Sequence, residues 1–561
     1  MPFGEVRLVP GVNVERTPTL LEAGYSSSSL IRFKDGLAQK YGGWEKYYGN
    51  ALSGVPRDLH GWEDLNQDAH LSAGTTTQLV IITDGTLSDI TPQEVTSDFT
   101  PDFATTSGSA LVEVDDPNIA NVTTFDSIIL NTPISVGGLI LSGIYAIAVI
   151  TGTTKYQITA ASNATATVSP GAGAVPAFTT TSGSSAVNVE LADHGLAVNN
   201  TIVFPIATTG NGVTIEGSYP AVTIVDADNF TIIASAEASA TSSFNMNSGD
   251  AQIVYSINIG PAAAGAGYGL GDYGEGGYGT GTTPTSQTGD PITATDWTSD
   301  NWGEVLLAAP EGGGVYQFNP RGGFTNAGLV PTAPPYNGGL FVSTSQQILM
   351  CWASTSQKTI GIQQDPMLVK WSASGDYSDF VALTTNQAGS FRIPIGSEIR
   401  GGIAVANQNL FWTDLDLWAA NYQGPPFVYG FNKVGAGAGL ISSHAAQQLR
   451  GGVYWMGPTN FYSYNSNGVA VIPCPVWDFV FQNLNQDSDP VTGRPYSKNV
   501  RAMPNTPFNE AGWFFPSTAS ANGENDSYVK FNITEPGAPW DYGAAGALPR
   551  TAWIDQTVLG M

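Results

Sequence analysis

Apolar and polar residues alternate along most of this chain, and Gly, Pro, Asn or Asp breaks the alternation every few residues. A period of two puts successive side chains on opposite faces of a strand, and the breaks supply turns. Gly (66) and Pro (35) make up more than one sixth of the 561 residues. Both are poor in a helix interior, so long helices are excluded. One stretch, His444–Arg450, reads as two helical turns. Elsewhere the expectation is an all-β chain, and at 42% hydrophobic and 11% aromatic residues it has enough material for a core.

Leu79–Thr91 is an apolar run, an Asp84-Gly85 turn and a returning strand. Asp-Gly suits the positive φ angles of a tight hairpin. Aromatic hairpins of the same form recur at Val315–Pro320, Leu410–Tyr422 and Val453–Tyr464, and Gly512–Phe515 pairs with Ser527–Asn532. Such units at irregular spacing suggest the blades of a β-propeller. The propeller is expected to occupy 1–97 and 290–561, interrupted by a different region and a linker.

That region, 98–258, is rich in Thr, Ala, Ser and Val and contains an internal repeat. Thr106–Ser109 matches Thr181–Ser184 at an offset of 75, and Ser127–Leu130 matches Thr201–Phe204 at 74. Gly143–Tyr145 with Gly217–Tyr219, and Tyr156–Ile158 with Phe230–Ile232, continue the match at 74. Two tandem β-modules follow, about 98–175 and 176–258. Residues 259–289 contain Tyr-Gly three times and lack the Gly-Lys-Ser/Thr ending of a phosphate loop, so they read as a Gly-rich linker.

Net charge is −27, and its distribution is uneven. Residues 58–320 hold 27 Asp/Glu against one basic residue, Lys155, whereas the rest holds 20 acids and 19 bases. Affinity for nucleic acid comes largely from Lys and Arg, so direct DNA or RNA recognition is disfavoured. The acidity either keeps the protein soluble or repels DNA. The N-terminus has no charged segment followed by an apolar run, so no signal peptide is expected. The longest apolar run, Leu139–Ile150, is too short for a spanning helix.

The residues that could carry chemistry have plainer roles. His60, His70, His194 and His444 fall in no two-His metal spacing, and Cys351 and Cys474 lack a Cys-x-x-Cys partner, so they read as structural residues and free thiols. Asp414 and Asp416 alternate along a strand and share a face, as a glycosidase pair could, or else are rim residues of a hairpin. Asn485, Asp487 and Asp489 open like a calcium loop, but Pro490 and Val491 follow instead of the expected Gly. Trp412, Trp418, Trp455 and Trp513 fall on expected strands and read as packing residues. No catalytic, cofactor or metal residue is assigned, and no enzyme activity is expected.

Val9–Asn13, Ser29–Gly36, Gln39–Trp44, Leu59–Trp62, Asp89–Pro92, Trp302–Glu304, Gly396–Ile399, Leu410–Asp414, Val453–Met456 and Arg550–Trp553, with the Tyr-Gly stretch, resemble tail proteins of short-tailed bacteriophages. The second module, through Asp193–Val198, Gly217–Tyr219 and Asp228–Thr231, resembles small β-modules inserted in phage structural proteins; the first departs at Pro117–Thr124. The resemblance implies a virion tail nozzle or hub, assembled in the host cytoplasm as a homohexameric ring around the DNA exit channel. Its implied neighbours are an adaptor or portal-side ring and tail fibres. DNA would pass through without specific binding during ejection. Family members continue past a segment like Thr551–Asp555, which implies a shorter version or a propeller closed by another chain. The alternative is a receptor-binding adhesin that recognises host surface glycan through 98–258.

Overall fold

The computed structural model describes residues 8–17, 24–28, 31–40, 47–97, 101–119, 127–171, 173–256, 294–323, 326–356, 363–406, 408–489, 493–535, 537 and 539–544. The 259–289 stretch, part of Pro117–Thr124, and Arg550–Trp553 lie outside the described residues. The chain is nearly all β and separates into two compact units, 1–91 with 294–561, and 92–293.

The larger unit contains, among the described residues, six four-stranded antiparallel sheets in chain order. The first is Pro56–Glu63, Ala69–Thr75, Leu79–Thr83 and Thr86–Asp89; the second is Trp297–Trp302, Val305–Pro310, Tyr316–Phe318 and Gly328–Leu329. The third is Gly339–Ser343, Ile348–Trp352, Leu368–Trp371 and Gly389–Arg392; the fourth is Ile399–Val405, Gln408–Thr413, Leu417–Gly424 and Val428–Gly435. The fifth is Ala446–Leu449, Gly452–Met456, Phe461–Asn465 and Gly468–Ile472; the sixth is Arg501–Ala502, Glu510–Phe515, Ser527–Asn532 and Trp540–Ala544. The first strand of the second sheet packs against those of the first and third, the third against the fourth, and the fifth against the sixth.

Local chemistry explains the hairpins. Asp84 and Gly85 have φ of 48° and 75°, and Thr83 pairs with Thr86. Positive φ at both central residues matches the right-handed twist of the flanking strands. The helix expected at 444–450 is absent: Ala446–Leu449 is a strand, and an Arg450-Gly451 turn with φ of 46° and 78° returns it to Gly452. Its burial runs with period two, with Gln447 and Leu449 inward, and the Gln447 amide donates to the Gly512 carbonyl at 2.9 Å. The helical turn that does form, Trp477–Phe481, was not expected.

Aromatic side chains fill the space between neighbouring sheets. Trp412 lies 5.5 Å from Trp455, and Phe461 lies 4.7 Å from Trp513 and 5.0 Å from Trp540, ring centre to ring centre. Each such buried side chain stabilises by roughly 1.5–3 kcal/mol relative to exposure. The N-terminal segment packs on the sixth sheet: Val12 N donates to Trp540 O at 2.8 Å, and Asn532 donates to Phe33 O at 3.2 Å.

In the smaller unit, the two stretches that repeat in sequence also repeat in structure. Asp102–Thr105, Leu111–Asp115, Ser127–Val136, Leu139–Ile150, Lys155–Thr159 and Val168–Gly171 correspond to Ala177–Thr180, Ala186–Glu190, Thr201–Gly210, Val213–Pro220, Asn229–Ile233 and Ser243–Asn245. Most pairings recur, including a bulge between Leu130 and Ile134 that recurs between Phe204 and Thr208. Where Leu139–Ile150 runs on to pair with Lys155–Thr159, however, the second copy uses a separate short strand, Thr223–Ile224, beside Asn229–Ile233. The Thr-Ser-Gly-Ser motif is a turn with its own bonds. Gly108 N donates to Ala164 O and Gly183 N to Ala238 O, both at 2.8 Å. Ser107 N and Ser182 N donate to the hydroxyls of Thr167 and Thr241, both at 2.9 Å.

The copies differ at one edge. In the first, Ile253–Ser256 pairs with Ser127–Val136 and, on its other side, with Gln93–Ser97. The segments leading into and out of this unit are therefore hydrogen-bonded neighbours. Asn131 N donates there to Gln252 O at 3.1 Å. The second copy has Pro205 at that position, which has no N–H to offer an added strand.

Candidate functional site

The first strands and flanking loops of the larger unit carry its densest set of charges. Asp296, just before the second sheet, is 2% exposed. Its Oδ1 accepts from Arg501 at 2.6 Å and from Trp297 N at 3.0 Å; its Oδ2 accepts from Ser443 at 2.6 Å and Arg494 at 3.1 Å. His444 stands 3.5 Å from Asp296 and 3.6 Å from Asp58, and its Nε2 bonds to Trp297 O at 2.7 Å. Arg494 also reaches Glu311 at 3.2 Å. Burial works against ionisation of Asp296, but Arg501, His444 and Arg494 hold its carboxyl well below the usual carboxylate range. Nearby Asp300 runs the other way: burial pushes it up, and bonds from Val342 N and Asn301 N only partly compensate.

This network joins elements far apart in sequence. Arg57 of the first sheet makes a two-pronged bond with Glu524 of the sixth, at 2.9 and 3.1 Å. Glu398 of the fourth sheet meets Lys498 at 3.2 Å and Arg400 at 2.9 Å. A second buried set ties the N-terminus to the sixth sheet. Lys530 lies 3.1 Å from Glu510 and 3.8 Å from Asp541, Arg32 lies 3.7 Å from Glu510, and Ser28 bonds to Asp541. Both oxygens of Asp296 accept from donors that hold the fold. What this arrangement does chemically is fix one sheet against another.

The smaller unit has a buried polar chain without cations. Tyr156 and Tyr255 share a bond between their hydroxyls at 2.8 Å, and the Tyr255 hydroxyl donates to Asp116 Oδ2 at 2.9 Å. Asp116 Oδ1 accepts from the backbone and side chain of Asn118 at 3.0 and 3.1 Å. Burial pushes both tyrosines up. In the second copy Phe230 replaces Tyr156, and His194 sits edge-on to its ring at 5.0 Å. Leu196 N donates to His194 Nδ1 at 2.9 Å, and Nε2 bonds to Asp226 O at 3.1 Å, which fixes the neutral tautomer. A cleft of about 310 Å³ between the copies is lined by residues that include Gly137, Gly138, Gly173 and Asp193.

The sequence candidates take structural places. Asp414 and Asp416 do not alternate along a strand; they lie in the turn between Gln408–Thr413 and Leu417–Gly424. Asp414 accepts from Ser397 N and Oγ at 2.8 and 2.7 Å, and Asp416 accepts from Gly437 N at 3.0 Å. Thr413 and Asp416 close the turn on each other, which the alternation could not reveal. Asn485 accepts from Asp487 N at 2.9 Å, and Gly493 N donates to Asp489 O at 2.8 Å, so this loop folds on itself. His60 bonds to Asn301 at 3.1 Å and His70 to Thr83 at 2.7 Å. Cys351 and Cys474 are free thiols, and burial pushes Cys474 up to about 12. Trp412, Trp418, Trp455 and Trp513 are buried. Among the described residues no three His, Cys, Asp or Glu could together hold a metal. Sequence reasoning missed the Asp296 network, whose members are scattered from Asp58 to Arg501 with no local spacing to signal them.

No family model and no curated protein matches the chain. Solved structures similar to it include a phage phi92 endosialidase, at 11% identity over 91% of this chain and 70% of that one, with a TM-score of 0.20. Apo AztD from Citrobacter koseri is 10% identical over 75% of this chain and 98% of that one, with a TM-score of 0.25. The computationally designed Ika8 protein is 10% identical over 77% of this chain and 100% of that one, with a TM-score of 0.20. At these TM-scores none of the likenesses decides fold or activity.

Proposed function

We propose that this chain is a structural protein of a virion tail, a nozzle or hub subunit that assembles with copies of itself into a ring through which DNA leaves. The observation that carries the reading is the series of six four-stranded sheets, in which the first strands of the first four pack in turn and those of the fifth and sixth pack together, with Arg57 of the first sheet bonded to Glu524 between two strands of the sixth. Four-stranded antiparallel sheets following one another in this way are what the blades of a propeller would look like, which supports the reading. The strings that resemble phage tail proteins fall at structural points of this unit. Val9–Asn13 packs on the sixth sheet, Leu410–Asp414 takes in the end of a core strand of the fourth and the start of its turn, and Val453–Met456 lies in a core strand of the fifth.

The reading is of a scaffold rather than an enzyme, with an adaptor ring and tail fibres as neighbours. The DNA path of this reading is the hole of the assembled ring rather than the interior of one subunit, where buried groups such as Asp296 are already bonded to Arg494 and Arg501. Acidic residues facing that hole would repel the phosphate backbone and keep DNA from sticking. The test is the mass of the purified protein in solution by light scattering. A ring-sized oligomer is expected, and a monomer at all concentrations would count against the reading.

A further inference from the structure

The second copy in the smaller unit carries a row of uncharged polar side chains that its sister copy lacks. Strand register sets Ser243 opposite Thr179, Thr179 opposite Asn188, Asn188 opposite Thr231, and Thr231 opposite Thr223. One residue from each of five adjacent strands thus stands in line across the sheet. Thr179, Asn188 and Thr231 point outward, because their chain neighbours Phe178, Thr180, Val187, Val189, Phe230 and Ile232 are buried, and Ser243 and Thr223, in register with them, are exposed. Thr179 and Ser243 share a bond between hydroxyls at 2.7 Å, and Asn188 donates to Asn229 at 3.0 Å. The Thr231 and Thr223 hydroxyls and the Asn188 carbonyl make no side-chain bond among the described residues and face solvent. At the equivalent register the first copy has Ala104, Glu113, Gln157 and Val149.

We propose that this row binds a neutral polysaccharide laid across the strands. Neighbouring strands are about 4.8 Å apart, close to the length of one hexose residue in an extended chain, so successive sugars would meet successive hydroxyl or amide groups. Charge decides which class of polysaccharide. The stretch 177–250 contains no Lys or Arg, while Glu190, Asp193, Glu216, Asp226, Asp228, Glu237 and Asp250 are all acidic. An anionic polysaccharide would be repelled, and a neutral one would not. This inference goes beyond the ring reading and stands whether or not the ring forms.

The test uses the full chain with cellohexaose, laminarihexaose and mannohexaose, and a heparin hexasaccharide as the anionic control, by titration calorimetry. At least one neutral hexasaccharide is expected to bind and heparin is not. Asn188→Ala and Thr231→Val should each weaken binding about tenfold, the loss of one good hydrogen bond. Gln157→Ala, at the matching place in the first copy, should leave binding unchanged. Circular dichroism confirms that the exposed variants fold, and Thr179→Ala replaces any that does not. Binding of heparin alone, binding of no neutral hexasaccharide, or neutral binding that Asn188→Ala, Thr231→Val and Thr179→Ala all leave intact would overturn the proposal.

Discussion

Asp296 and Asp116 are both buried aspartates, and the two units answer them in opposite ways. In the larger unit two guanidinium groups and a histidine surround Asp296, drawn from His444, Arg494 and the first strand of the sixth sheet at Arg501. In the smaller unit a tyrosine hydroxyl and the Asn118 amides satisfy Asp116 without a cation. The first solution holds together separate sheets that the chain reaches far apart in sequence. The second holds one loop and one returning strand within a single copy. A paired charge is costly to bury but costlier still to leave alone, so the larger unit should be the more sensitive to loss of one partner.

The largest expected effect is therefore at Asp296. Asp296→Ala leaves Arg494 and Arg501 without their shared anion and should cost about 3–5 kcal/mol, read as a lower urea midpoint for exchange-protected amides of the larger unit alone. Asp116→Ala should cost about 2 kcal/mol, with lost protection confined to the first copy and its strand Ile253–Ser256. If both substitutions unfold the whole chain together, the two units are not independent. Phe230→Tyr places a hydroxyl where the second copy has no counterpart of Tyr255 and should cost about 1–2 kcal/mol, by thermal unfolding. The reciprocal Tyr156→Phe keeps the Tyr255–Asp116 bond and should cost about 1 kcal/mol or less.

Acid sharpens the same contrast. The Asp296 carboxyl is held below its unfolded value, so its contribution is fully present above about pH 4 and is lost as pH falls through the depressed folded value. The larger unit should lose amide protection as pH is lowered below that range, and Asp296→Asn should flatten that dependence. An unchanged profile in Asp296→Asn would show that other carboxylates control acid unfolding.

Much of the strand content was legible because it is local. The Asp84-Gly85 turn and the aromatic strands at 410–422, 453–464 and 512–532 follow from period and turn chemistry. Ala446–Leu449 was misread because Ala, Gln and Leu also favour helices, and the Arg450-Gly451 turn that decides the matter needs a positive φ at Arg450. The charge network was illegible for a different reason: Asp58, Asp296, His444, Arg494 and Arg501 meet only after the sheets have packed. The polar row of the second copy was hidden likewise, since register, not spacing, aligns Thr179, Asn188 and Thr231.

The most direct test of the central claim is electron microscopy of the purified full-length protein. Closed rings of identical subunits around an open hole are the predicted result. Separate single-subunit particles at every concentration and salt condition would contradict the account of this chain as a tail ring.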